Sequence, residues 1–284
     1  MLPTIKKAVI PAAGLGTRLL PITKEMPKEM LPLFFRSKSG KMCLKPVLQS
    51  VFEQLHGTGF RDFCIIVGRG KRAIEDYFTP DFGFVQYLRS RKKTKYAEEL
   101  QEFYNKVSSS VINFVNQPEP KGLGDAVLRA KTFTGEESFL VHAGDDLILS
   151  KGNDHLKMLI KAFEKFDADA AFLVELVEDP RNYGIVEGDK LSEWIYRVKT
   201  VTEKPKVPRS KIAVIAVYVF KPMIYNEILR LKPDKSKEIQ LTDAIQGLLN
   251  RGFKVYAVKL KDGKRIDIGA SERYWEALNI TYKL

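Results

Sequence analysis

Apolar residues along this chain fall into two alternating patterns. "KKAVIP" (6–11), "DFCIIVG", "VINFVNQ" and "SFLVHAG" are apolar runs of strand length, bounded by polar or small residues. Between them, "KPVLQSVFEQLHGTGF" sets Val47, Leu48, Val51 and Leu55 at helical spacing and closes on glycines. "RAIEDYF", "YAEELQEFYNKV" and "GDAVLRAKTF" also read as helices. The alternation up to about residue 166 predicts an α/β domain with a largely parallel sheet. After "HLKMLIKAFEKF" the rhythm changes. "DAAFLVELV", "YGIVEGD", "WIYRVKTVTEKP" and "KIAVIAVYVF" predict strands with few helices between them, and "MIYNEILRL", "EIQLTDAIQGLLNRG" and "SERYWEALNITYKL" return to helix. The second half is expected to continue the same sheet as a mixed, partly antiparallel region covering the pocket. No repeat or low-complexity linker divides the chain, so 1–284 is taken as one domain.

Ligands of such sheets collect at the carboxyl ends of strands. Three polar stretches fall there: the glycine loop after residue 11, "NQPEPKGLGD", and Gly144-Asp145-Asp146. They predict one pocket.

Composition narrows the class. At 284 residues, 44% hydrophobic and 29% charged, the chain can bury a sizeable core. No apolar stretch approaches the ~20 residues needed to span a bilayer, and the start has no apolar leader segment, so a soluble cytoplasmic protein is expected, with no membrane partner. Cys43 and Cys64 lack metal-ligand spacing and make no disulfide framework; three scattered histidines argue against structural zinc. The formal net charge of +12 raises nucleic acid as a partner, with its densest run at Arg89 to Lys95. A solvated helix face explains that run, and a polyphosphate substrate explains the bases at Lys24, Lys28, Lys204 and Lys206. No basic stripe with stacking aromatics forms a nucleic-acid module, so none is expected to bind.

The glycine loop "AAGLGTRLLPITKEMPKEMLP" carries the chemistry. Gly14 and Gly16 begin a dinucleotide fingerprint, but Leu19 stands where the third glycine belongs, and no P-loop sequence occurs in the chain. The residues after the two glycines are more informative: Arg18, Pro21, Lys24, Pro27 and Lys28. Prolines stiffen the loop, glycines admit backbone N–H groups to phosphate, and a guanidinium offers a fork for its oxygens.

This loop resembles the signature of the sugar-1-phosphate nucleotidylyltransferases. Its "PKEMLP" ending is similar to the branch that uses UTP and glucose 1-phosphate; the thymidylyl branch has a stretch closer to SKQLLP. "GLGDAV", "GDDLI", "YGIV", "EKP", "EIQLTDAI" and "DIG" come in the family's order across nearly the whole chain. The resemblance implies a Rossmann-like three-layer sandwich with a mostly parallel mixed sheet, the nucleotide-diphospho-sugar transferase fold. About 1–166 would form the nucleotide-binding half and about 167–284 the sugar-binding half. It also implies transfer of a uridylyl group from UTP to glucose 1-phosphate with Mg²⁺, releasing pyrophosphate without a covalent intermediate. A homo-oligomer is a further implication.

Residue by residue, the resemblance implies that Arg18 holds the β and γ phosphates, Lys28 the α-phosphate, and Lys204 the sugar phosphate. Backbone atoms of Ala12, Ala13 and Gly14, with Gly16, Gln117 and Gly122, would form the nucleotide side; Gly184, Glu203 and Glu238 the sugar side, with Asp243 near it. Asp145 at a strand end offers Mg²⁺ a hard oxygen, and Asp267 would be its second ligand; Asp146 is not assigned. Two departures stand out. Ala216 replaces a common glycine near the sugar, and "FFRSKSGKMCL" (34–44) is longer than usual and expected as a surface turn or oligomer contact. A different base or hexose, and a non-catalytic sugar-nucleotide sensor, stay open.

Overall fold

The computed structural model describes residues 5–37 and 40–284. In chain order the elements are β1 (Lys7–Ala12), β2 (Pro32–Arg36), β3 (Met42–Pro46), α1 (Val47–Gly57), β4 (Asp62–Gly68), α2 (Arg72–Tyr77), α3 (Phe82–Ser90), α4 (Thr94–Ser108) and β5 (Val111–Gln117). They continue with α5 (Gly122–Arg129), α6 (Lys131–Thr134), β6 (Phe139–His142), β7 (Asp146–Leu149), α7 (Asp154–Lys165), β8 (Ala170–Leu176) and β9 (Gly184–Lys190). The rest are β10 (Ile195–Glu203), β11 (Ile212–Phe220), α8 (Ile224–Arg230), α9 (Leu241–Asn250), β12 (Val255–Lys259), β13 (Lys264–Asp267) and α10 (Ser271–Tyr282).

Among the described residues, nine strands make one sheet in the order β5-β4-β1-β6-β11-β8-β12-β10-β9. From β5 to β6 every pairing is parallel. Beyond β6 the pairings are antiparallel except β12 with β8, which is parallel. The β6–β11 pairing carries the sheet across the middle of the chain, so one sheet serves both halves.

Strand alternation sends side chains to opposite faces, and each face is covered by helices. In β1, Ala8, Ile10 and Ala12 join the core beneath α1, α4 and α7, while Val9 joins the opposite core with residues of α5, α8 and α9. Val47, Leu48, Val51 and Leu55 of α1 are all buried, as their spacing requires. The result is a three-layer helix–sheet–helix sandwich. Among the described residues no helix is long and apolar enough to cross a membrane.

α3, β12 and the two short ribbons β2–β3 and β7–β13 lie outside the sequence pattern. Residues 34–44 extend beyond a surface turn: Phe34 to Arg36 and Met42 to Leu44 belong to the antiparallel ribbon β2–β3, and the Ser37 N–H donates to the Lys41 carbonyl between them at 2.8 Å. Lys38 and Ser39 of that expected turn lie outside the described residues. The ribbon is held by α10, where Phe34 meets the Tyr282 ring edge-on at 5.2 Å and Tyr274 donates its hydroxyl hydrogen to the Pro32 carbonyl at 3.0 Å. The second ribbon pairs β7 with β13. Cys43 and Cys64 are free thiols. Most of the basic run after α3 is exposed.

His142 and His155 are buried in the core and leave their Nε2 atoms without a partner. Burial pushes the imidazole of His142 down to about 4 and that of His155 to about 3. Each is therefore neutral when folded and charges on unfolding below about pH 6.5, so its contribution to stability falls as pH drops from 6.5. At pH 5 the penalty is about 2 kcal/mol for His155. Urea denaturation at pH 7 and pH 5 is expected to show His155→Gln losing about 2 kcal/mol less on acidification than the unsubstituted protein. Comparison with the variant isolates the imidazole from the buried carboxyls of Glu29 and Asp146, whose raised values act in the opposite sense.

Candidate active site

The glycine loop does not become a long helix. Prolines at 21 and 27 break it into three 3-10 turns, Thr17–Leu19, Ile22–Lys24 and Lys28–Met30. Glu29 anchors the last of these from inside. It is 1% exposed and accepts a hydrogen bond from Lys71 Nζ at 2.7 Å, just beyond the end of β4. Burial pushes its carboxyl up, while Lys71 and Lys28 pull it down. Lys28, adjacent in the turn, faces the other way and forms a short ion pair with Asp145. Burial would lower the Lys28 ammonium, but Asp145 and Glu29 hold it above its ordinary value. Burial would likewise raise Asp145, but Lys28 holds it below the usual carboxylate range. Both partners are therefore charged.

Asp145 directly precedes β7, and β13 runs antiparallel beside that strand with Asp267 opposite Asp146. The ribbon is locked by Arg265, which reaches both oxygens of Asp146 at 2.8 Å and Glu175 of β8 at 2.9 Å. Burial pushes the Asp146 carboxyl up to about 6, with Arg265 opposing it. Asp146 is thus committed to the ribbon. Asp267 Oδ1 accepts the Gly269 N–H at 2.7 Å, and Oδ2 accepts a short hydrogen bond from Arg273. A Cβ at Gly269 would lie 2.9 Å from Arg18 Nη2 and 2.9 Å from Asp267 Oδ1, so the two side-chain ends flank the same glycine at the ribbon's end.

On the opposite wall, Glu203 ends β10 and accepts from the Thr242 hydroxyl at 2.9 Å. Lys204 comes next with φ of 40°, a left-handed backbone for a non-glycine residue, and its N–H donates to the Tyr183 carbonyl at 3.0 Å. Strain of this kind persists only where the surroundings hold it. The ammonium of Lys204 lies 3.3 Å from Glu203. Gly122, at φ of 89°, starts α5 so close to the 238–240 segment that a Cβ would lie 2.9 Å from the Ile239 carbonyl. The side-chain amide of Gln117 donates to the Gly122 carbonyl at 3.2 Å and to Asp125 at 2.8 Å, leaving its carbonyl oxygen as the uncommitted end.

These walls enclose a cavity of about 860 Å³. It is lined by Ala13, Gly14, Gly16, Arg18, Lys28, Gln117, Gly122, Asp145, Gly184, Glu203, Lys204, Ala216, Glu238 and Asp267. Ala12 does not line it. As the last residue of β1 its side chain is 1% exposed in the core under α1, on the other side of the strand from Ala13. Asp243 is exposed and does not line it either; its neighbour Thr242 does. Sequence reasoning missed Glu29, Tyr183, Arg265 and Arg273, which are also in the wall. Arg265 could have been suspected, since it alternates with Asp267 in "RIDIG"; Arg273 carries no such signal.

A sequence profile of the nucleotidyl transferase family matches residues 7–283. The chain belongs to that family. Among this nucleotidyl transferase's relatives, the UTP–glucose-1-phosphate uridylyltransferase of Pseudomonas aeruginosa is 37% identical over 283 residues, 98% of this chain and 96% of that one. Among solved structures, apo UDP-glucose pyrophosphorylase is similar with a TM-score of 0.88 at 35% identity, covering 99% of both chains. UDP-glucose pyrophosphorylase complexed with UDP-glucose gives 0.84 at 35%, again over 99% of both.

The charge balance of the cavity tests whether this nucleotidyl transferase suits a divalent metal. Its lining holds five lysine or arginine and six aspartate or glutamate side chains, so the wall is not a basic sink for a polyphosphate. Among the described residues no group of three or more acidic, histidine or cysteine side chains forms a metal cage. Mg²⁺ does not need one: it keeps waters and binds through one or two carboxylates plus substrate phosphates. Asp145 and Asp267 supply that number, and each already holds a cation. The residues fit.

Glu29 and Lys71 make the loop sensitive to one change. Lys71→Met leaves a buried carboxylate unpaired and is expected to destabilise the protein by roughly 3–5 kcal/mol at pH 7 in urea denaturation. The loss should shrink as pH falls, because burial favours the protonated, uncharged form of Glu29. Adding Glu29→Gln should recover part of it at pH 7.

Proposed function

We propose that this nucleotidyl transferase moves a uridylyl group from UTP to glucose 1-phosphate and releases pyrophosphate. The observation that carries the proposal is the convergence of Arg18, Lys28, Lys204, Asp145 and Asp267 on one cavity at the carboxyl ends of the strands. The named relatives share the whole length of the chain, which supports the same substrates here.

A phosphate oxygen of the sugar phosphate attacks the α-phosphorus of UTP. The new P–O bond forms as the bond to the bridging α–β oxygen breaks, and pyrophosphate leaves with that electron pair. The attacking oxygen is already ionised, so no general base is needed. Among the described residues no cysteine, histidine or serine is in the lining, in keeping with direct transfer. Arg18 makes no hydrogen bond or ion pair among the described residues, leaving its guanidinium available to the departing pyrophosphate. Lys28 neutralises charge at the α-phosphate, and Lys204, fixed by its strained backbone and by Glu203, sets the attacking phosphate in line. Asp145 and Asp267 would hold Mg²⁺, which would supply charge neutralisation to the phosphates. The free carbonyl oxygen of Gln117 suits the N3–H of a pyrimidine such as uracil. Glu203 and Glu238 accept from sugar hydroxyls, and Gly184 gives the sugar close access to the chain. Ala216 sits in the same wall and narrows it by one methyl group.

Pyrophosphate release from UTP, glucose 1-phosphate and Mg²⁺ is the direct assay. Asp145→Ala is expected to lower kcat about 10²–10³-fold, the size seen when a group stabilising transition-state charge is lost. No turnover with any pairing of UTP or dTTP and a hexose 1-phosphate would overturn the proposal. In the same assay Lys204→Ala should raise the KM for glucose 1-phosphate about tenfold, as expected for one charged hydrogen bond, while leaving that for UTP nearly unchanged.

A further inference from the structure

Two arginines reach the ribbon's end, and they differ in how fully they are engaged. Arg265 is 14% exposed in its side chain and spends its donors on Asp146 and Glu175. Arg273, the third residue of α10, is 35% exposed and makes a single ion pair among the described residues, with Asp267. Its remaining N–H groups have no acceptor there. The Tyr183 ring lies 5.7 Å from the centre of each guanidinium. Arg273 also stands in the wall between the main cavity and a smaller one of about 170 Å³, whose lining includes Tyr183, Arg265 and Asp267. Its side chain therefore has open space on either side and an aromatic face to slide along.

We propose that Arg273 is a latch on Asp267: it holds the carboxylate while no metal is bound, gives it up when the metal loads, and then donates to a phosphoryl oxygen of the nucleotide. The proposal rests on the reading of Asp267 as a metal ligand. The physical reason is charge conservation at one carboxylate. An ionised Asp267, one of six acidic groups in a near-neutral cavity, is stabilised by a counter-cation, and the guanidinium supplies it. A phosphate-bound divalent cation supplies more charge to the same oxygens and releases the guanidinium. Its planar fork then matches a phosphoryl group better than an ammonium would. Metal loading and phosphate binding become coupled through one side chain. Lys28 and Asp145 form the same kind of pair across the cavity, but Lys28 is fixed by the buried turn it shares with Glu29. Arg273 projects from a helix end with room to move.

Mn²⁺ binding without nucleotide, read from the electron paramagnetic resonance of the free ion, tests the latch directly. Arg273→Gln is expected to bind Mn²⁺ about tenfold tighter than the unsubstituted enzyme, because Asp267 no longer has to exchange a charge-assisted hydrogen bond. UTP binding is measured twice by calorimetry. With Mn²⁺ in excess, Arg273→Gln should bind UTP about tenfold more weakly; in EDTA the two proteins should bind it equally, since Arg273 is then occupied. A merely structural role would weaken both ligands under both conditions. Unchanged Mn²⁺ affinity in Arg273→Gln, while Asp267→Asn still weakens it, would overturn the latch and leave Asp267 as a ligand. Equal loss of UTP affinity with and without metal would also overturn it. Unchanged Mn²⁺ affinity in Asp267→Asn would remove the reading of Asp267 and the latch together. Arg273→Ala carries the same expectations, so a folding failure of one variant does not remove the test.

Discussion

The antiparallel pairing of β7 with β13 is the constraint on which the site depends. Asp145 sits at one end of β7, and the register that sets Asp267 opposite Asp146 brings a carboxylate from near the end of the chain to its side. Four residues per strand are too few to hold a ribbon by main-chain pairing alone. Arg265 closes the difference by joining Asp146 on the ribbon to Glu175 on the main sheet. Burying such a group is costly, and removing one partner would strand the other charge in the interior. That asymmetry gives the ribbon one position, and the carboxylates of the cavity inherit it.

Every acid at the ribbon's end has a cation assigned to it: Lys28 for Asp145, Arg265 for Asp146, Arg273 for Asp267. Arg18 alone among the cations there has no carboxylate among the described residues. The arrangement is an electrostatic site prepared before substrate arrives, with orientation fixed during folding rather than at the moment of reaction. The interior pair of Glu29 and Lys71 has a different task. It pins the proline-broken loop so that Lys28 and Arg18 emerge from it in fixed directions. The left-handed backbone of Lys204 is the matching device on the opposite wall, held by Tyr183 and by the sheet behind it.

Much of the site was legible in the sequence because the informative residues lie in contiguous blocks. The glycine loop, "GLGDAV", "GDDLI" and "EKP" each place their charged or small residues at the end of a recognisable strand, and the sheet gathers strand ends along one edge. The helical spacing of Val47, Leu48, Val51 and Leu55 likewise specified a buried face that the structure uses. Ala12 shows where that reasoning stops. Whether a small residue at a strand end faces ligand or core depends on the pleat, and Ala12 and Ala13 fall on opposite sides of it. Residues 34–44 look like a polar insertion because the surface that covers Phe34 is the C-terminal helix, far away in sequence.

The sequence by itself determined the class of fold, the loop chemistry and seven of the eleven charged side chains that line the cavity, since periodicity and local motifs act over a few residues. Only the tertiary structure decided which charges are spent and which are free. Arg265 and Arg273 are both arginines near "DIG", yet one is locked between two carboxylates and the other holds a single oxygen beside open space. Nothing in their local sequence separates them. The difference comes from β8 supplying Glu175 to one and from α10 leaving the other at the cavity's wall, contacts between segments distant in the chain.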